Sequence, residues 1–149
     1  MKNMTVHDCI RMRDPKTYCA ILVSEDASFF VPILLNATEG QMLLNFLVGE
    51  EFEDEELNRL LFIPESWRQL DSNMVAVELD FDDSDAIVLA HVCMHQKSEV
   101  TNKFFRVVTP MGYALIYSSH YRLPLYVDDR ISGQDGREIQ RLEGYLKNI

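Results

Sequence analysis

The chain has 149 residues, 47% of them hydrophobic, with 24 acidic against 14 basic side chains and a formal net charge of −10. That length and composition predict one domain that buries roughly 68–70% of its unfolded surface and exclude disorder as the main state. The acidic balance argues against tight nonspecific nucleic-acid binding, which needs Lys and Arg to neutralise phosphates, and no apolar run nears the ~20 residues of a membrane span.

The N-terminus, MKNMTVHDCIRMRDPK, carries charges where a signal peptide needs an apolar stretch, so a cytoplasmic protein is expected. Residues 5–12 alternate loosely (Val6, Cys9, Ile10, Met12) and predict a first strand ended by Asp14-Pro15. Residues 18–24, rich in Ile, Leu and Val, read as a second strand, 25–28 as a turn, and 29–35 as the returning strand of a hairpin. Thr38 then reads as a helix N-cap, with Gln41 completing a capping box; Met42, Leu43, Phe46 and Leu47 make the apolar stripe that Gly49 ends. The acidic run 50–56 suits the start of a second helix, where the backbone dipole favours negative charge. Leu57, Leu60 and Leu61 face inward there, and Pro64 is expected to end it or begin another short turn.

Residues 74–81 alternate cleanly, with Met74, Ala76, Glu78 and Asp80 on one face and Val75, Val77, Leu79 and Phe81 on the other. Further strands are expected at 86–95 and 103–108. Thr109-Pro110 reads as an N-cap followed by proline in the first helical position, opening a helix to about Tyr121, after which 125–127 returns to the sheet. Gly133 and Gly136 mark a break before a polar terminal helix over 137–147. The expected fold class is α/β (or α+β), a single domain over 1–149. In it, a mixed sheet of about six or seven strands carries two main amphipathic helices, and 133–149 forms a C-terminal helical extension.

Several constellations bear on chemistry. Glu78, Asp80 and Asp82 alternate on one strand face with Asp83 and Asp85 nearby, a carboxylate platform for a divalent metal if Glu39 converged on it. The plainer reading is a solvent-facing strand running into an acidic turn. His91, Cys93 and His95 share a face and offer two imidazoles and a thiol to a zinc ion, but strand neighbours on one face sit roughly 7 Å apart, which favours a half-exposed strand face. Ser118-Ser119-His120 falls on one helix, where adjacent residues do not face each other. Cys9, Cys19 and Cys93 lack paired spacing, which points to a reducing compartment and small apolar roles. Arg11, Arg13 and Lys16 near one end and Arg122, Arg130, Arg137 and Arg141 near the other would make a phosphate-binding strip if the fold joined them. Exposed sheet edges, or Tyr113, Tyr117 and Tyr121 on one helix, are candidates for a homo-oligomeric contact.

From Val6 through Gly49 the register VHDCIRMRDPKTYCAILVSED, then FFVPILLNATEG, then an apolar helix closed by Gly, resembles the bifunctional nuclease domain family. Val31-Pro32-Ile33 and Glu39 sit at the places of that family's Val-Leu-Pro-Ile strand and helix-starting Glu, and LPLYVDDRI at 123–131 is similar to its closing strand. The resemblance implies a mixed α/β fold and metal-assisted phosphodiester hydrolysis of DNA or RNA. On this reading Glu39, Asp80, Asp82 and Asp85 are the candidate catalytic residues, and Glu39, Asp80 and Asp82 the ligands of Mg²⁺ or Mn²⁺. The family's Arg-Pro-Ser-Asp-Ala motif corresponds here to Thr109-Pro110-Met111-Gly112-Tyr113-Ala114, which keeps the proline and an alanine but has neither the Arg nor the Asp. A second reading stands beside the first: an interaction or regulatory module with this fold and without the activity.

Overall fold

Alternating and helical patterns resolve into eleven elements in the computed structural model, which describes residues 1–14, 16–49, 54–131 and 134–135. In chain order they are β1 (Lys2–Arg11), β2 (Thr17–Ser24), β3 (Phe29–Asn36), α1 (Ala37–Leu47), α2 (Glu55–Arg68), β4 (Ser72–Asp82), β5 (Ile87–Lys97), β6 (Asn102–Thr109), α3 (Met111–His120), β7 (Leu125–Val127) and the two-residue β8 (Gln134–Asp135). The terminal helix expected over 137–147 lies outside the described residues.

The strands form one mixed sheet in the order β6-β5-β4-β7-β1-β2-β3-β8, an α/β fold with one short strand more than the expected six or seven. Two antiparallel meanders, β1-β2-β3 and β4-β5-β6, flank β7, which runs antiparallel to β1 and parallel to β4. Val77 N–H donates to Pro124 O and Asp128 N–H to Leu79 O, each at 2.9 Å, so the join outlasts β7 at both ends.

All three helices pack on one face. Met42 and Leu43 of α1, Leu57 and Leu60 of α2 and Leu115 and Ile116 of α3 bury themselves against Ala20, Leu22, Val77, Leu79 and Ala90 of the sheet. Each such Leu or Ile contributes up to about 1.5–3 kcal/mol. β2 is buried on both faces, because Cys19 and Ile21 join Ile10 and Phe30 in a second cluster on the reverse side. Gly40 lets α1 lie close to β2, since a Cβ there would run into the Tyr18 ring.

A bulge corrects one face assignment. β4 pairs with β5 as Met74↔Met94 and then Ala76↔Cys93, so Val75 is the unpaired residue and stands exposed. Met74 therefore packs on the core beside Val77 and Leu79, not with Ala76 and Glu78.

The helix ends also differ from expectation. α1 begins two residues before the Thr38–Gln41 pattern: Asn36 Oδ1 accepts from Glu39 N–H at 2.9 Å, and Asn36 Nδ2 donates to Glu39 Oε2 at 2.6 Å. Asp54 caps α2, accepting from Leu57 N–H at 3.0 Å, and the Asn45 amide with this N–H holds its carboxyl below the usual range. Pro64 does not end α2 but lies inside it. Proline cannot donate to the carbonyl four residues back, and here Tyr117 Oη donates to that Leu60 oxygen at 3.0 Å while Tyr121 Oη donates to Leu61 O at 2.7 Å. The tyrosine side of α3 is thus spent on α2, and Tyr117 is buried, which removes it as a free oligomeric surface.

Candidate functional site

On the face opposite the helices, period-2 alternation brings together Glu78 and Asp80 of β4, His91 and Cys93 of β5 and Arg106 of β6. Arg106 Nη1 lies 3.1 Å from Glu78 Oε2 and 3.2 Å from Asp80 Oδ2, bridging both carboxylates. Asp80 Oδ2 also sits 2.7 Å from His91 Nδ1, a nitrogen sealed from solvent but off the hydrogen-bond direction. Burial, then the Glu78 charge, pushes the Cys93 thiol up to about 11, so it stays protonated at neutral pH. Burial pushes Cys9 higher, to about 12. Neither is an activated nucleophile.

The candidate carboxylates do not converge. Asp82 accepts the Ser84 N–H at 2.9 Å, and Asp85 is exposed on the following turn, where Ala86 takes φ +53°. Glu39 stands on the other side of the sheet: Oε2 serves Asn36, and Oε1 accepts Gly112 N–H at 2.7 Å. Among the described residues no three His, Cys, Asp or Glu side chains are grouped to hold a metal ion. The site of Glu39, Asp80 and Asp82 as joint metal ligands is therefore not assembled, because the sheet itself separates Glu39 from the two aspartates.

The remaining motifs also separate. His95 stacks on Phe104 at 4.2 Å between ring centroids and meets Asn102 Oδ1 through Nε2 at 2.7 Å, away from His91 and its Asp80. Ser118 Oγ donates to Leu123 O, and His120 packs edge-on against Phe46 and Tyr121. Arg11 and the nearby Arg13 and Lys16 lie at the Tyr18 end of β1, whereas β7 and the adjoining Arg130 lie at the Lys2 end, roughly 30 Å away at ~3.3 Å per residue. Arg130 is moreover held by Asp128, Asp83 and the Phe81 carbonyl. Arg122 lies by Asn3, Met4 and Thr5, on the Lys2 half of β1, so the basic strip does not form among the described residues; Arg137 and Arg141 fall outside them.

No protein-family model matches the chain, and no curated protein matches it. Among the described residues no helix is long and apolar enough to cross a membrane.

A feature the sequence concealed is the outer strand of the sheet. β6 pairs with β5 on one side and, among the described residues, with no strand on the other. Phe104 is 72% exposed and Val108 65% on the reverse face, and Phe105 and Val107 are 37% and 39% exposed on the helix side, where among the described residues no helix packs closely on β6. Apolar residues on both faces of a strand usually mark burial on both sides, so the exposure of Phe104, Phe105, Val107 and Val108 is the feature that calls for an explanation.

Proposed function

We propose that the chain is an interaction module that takes up an extended strand along β6. The observation that carries this reading is the exposure of four large apolar side chains on both faces of an edge that, among the described residues, pairs with no further strand. Edge strands are ordinarily blunted by shortness, proline, a bulge or inward-pointing charge. β6 is eight residues long and without proline, and its pairing with β5 runs without a register shift. Of its two cations, Arg106 is paired with Glu78 and Asp80, and Lys103 stands near one end with its ammonium 5.7 Å from the Phe105 ring centroid. Such an edge offers main-chain hydrogen bonds for affinity and apolar side chains on both faces for selection. A photoreactive phenylalanine at position 104, introduced in cells, should give a defined protein adduct identified by mass spectrometry. The same group at Leu34, equally exposed on β3, should give none. Equal labelling at the two positions would sink the reading.

A hydrolytic reading is favoured by one observation, the Asp80–His91 approach beside Arg106. Asp80 would orient the ring for proton transfer through Nε2, and the remaining guanidinium nitrogens would receive a phosphate oxygen. The assay is cleavage of RNA and single-stranded DNA with Mg²⁺ or Mn²⁺ and, in parallel, with chelator. Support requires cleavage that His91→Ala lowers by about 10²-fold or more. Cleavage indifferent to that substitution removes it.

A further inference from the structure

We infer that the strand received at β6 is the β6 of a second copy of this chain, antiparallel and centred on Arg106. The inference rests on the interaction reading above and names its partner. Its warrant is the order of side chains along the edge. Phe104-Phe105-Arg106-Val107-Val108 is apolar on both sides of Arg106, with two aromatics before it and two β-branched residues after. A twofold axis through Arg106, perpendicular to the sheet, sets Phe104 opposite the partner's Val108 on the reverse face. It sets Phe105 opposite the partner's Val107 on the helix-side face. Aromatic–β-branched pairs are among the favourable cross-strand combinations, and here all four exposed apolar side chains find one.

Neighbouring registers do worse. Because side-chain direction alternates, a continuous antiparallel sheet allows only shifts that keep each residue on its own face. Centring on Phe105 sets Phe104 against the partner's Arg106 and Lys103 against its Val107. Centring on Val107 sets Phe105 against the partner's Thr109 and Val108 against its Arg106. Each alternative leaves apolar groups facing polar ones.

The evident objection is that Arg106 faces its own copy across the axis. Each guanidinium, however, already lies 3.1 Å from Glu78 and 3.2 Å from Asp80 of its own chain. With two carboxylates beside each arginine, the guanidinium charge is more than offset, so the two Arg106 side chains do not meet across the axis as bare cations. Lys103, the other cation of β6, meets Thr109 of the copy. The outcome is an isologous pair in which both β6 edges are consumed.

The test uses the full chain. Sedimentation across micromolar concentrations should show a species of twice 17.3 kDa that dissociates on dilution, and Phe104→Lys/Val108→Lys should leave only monomer. Register is read by cysteine pairing in a Cys93→Ser background, which is needed because Cys93 lies opposite Arg106 in the same chain. Arg106→Cys should form a disulfide between copies under mild oxidation, since opposite Cα atoms lie about 4.5–5.5 Å apart. Phe105→Cys alone should not, but mixed with Val107→Cys it should, which covers the case in which loss of Arg106 disturbs the edge. Crosslinking of Phe105→Cys to itself would overturn the register. A monomer at every concentration that still yields a foreign adduct at position 104 would overturn the second copy while leaving the interaction reading intact. A monomer with no adduct would overturn both.

Discussion

Tyr117 and Pro64 are bound together by a single missing hydrogen. Pro64 leaves the Leu60 carbonyl without its helical donor, and Tyr117 Oη supplies one at 3.0 Å in a buried setting. Burial pushes the Tyr117 phenol upward, which keeps it a donor across the physiological range. Tyr117→Phe should therefore cost about 1–3 kcal/mol, the penalty of a buried acceptor left unmade. The urea midpoint should fall with little change in slope. In a Pro64→Ala background the backbone N–H returns to the Leu60 carbonyl, so the same Tyr117→Phe change should cost less. Equal costs in both backgrounds would break the link. Pro64 reads as a stop in the sequence because its remedy comes from a helix more than fifty residues later, and no local pattern encodes a distant phenol.

At the scale of elements, Glu39 ties the starts of two helices. Its carboxylate closes the Asn36 box on α1 and caps α3, whose own N-cap, Pro110, makes no side-chain bond. An anion is favoured at both positive helix ends. Glu39→Ala should destabilise the fold by about 1–2 kcal/mol, the usual range for a lost cap, and Glu39→Gln by less, because its amide oxygen still accepts from Gly112. Chemical denaturation of the two variants checks the order; a Gln variant as weak as Ala would contradict it. The sequence pattern predicts this cap at Thr38. Asn36 wins over Thr38 because β3 ends at Asn36, still in register with Thr17. Likewise the Val75 bulge hides in the run Met74-Val75, where either residue suits a buried face.

For the whole molecule, the apolar run of β2, the alternation of β4 and β5 and the apolar stripes of α1 and α3 are enough to read an α/β layer structure. Strand order was not readable. Period-2 patterning says which face a residue takes and nothing about what lies across the sheet, so Glu39, joined to Asp80 and Asp82 through the family resemblance, is parted from them by the sheet. The faces themselves were read correctly for Glu78, Asp80, His91 and Cys93, and that reading is what lets Arg106 be recognised as their shared counter-ion. The exposed edge stayed hidden because a strand's hydrophobicity is the same whether a neighbour covers it or not.

β7 sets the order in which this molecule can be completed. Synthesis delivers the first meander, then α1 and α2, then the second meander, and only afterwards the three residues that lie between β4 and β1. Until Val127 has left the ribosome, β1 and β4 each carry a naked inner edge beside the outer edge of β6. Contacts joining the two ends of a chain are the slowest to form, and unpaired strand edges are where nascent chains go astray. The nascent chain thus passes through a stage with more strand edges to shield than the finished fold, and its closing piece is among its shortest strands.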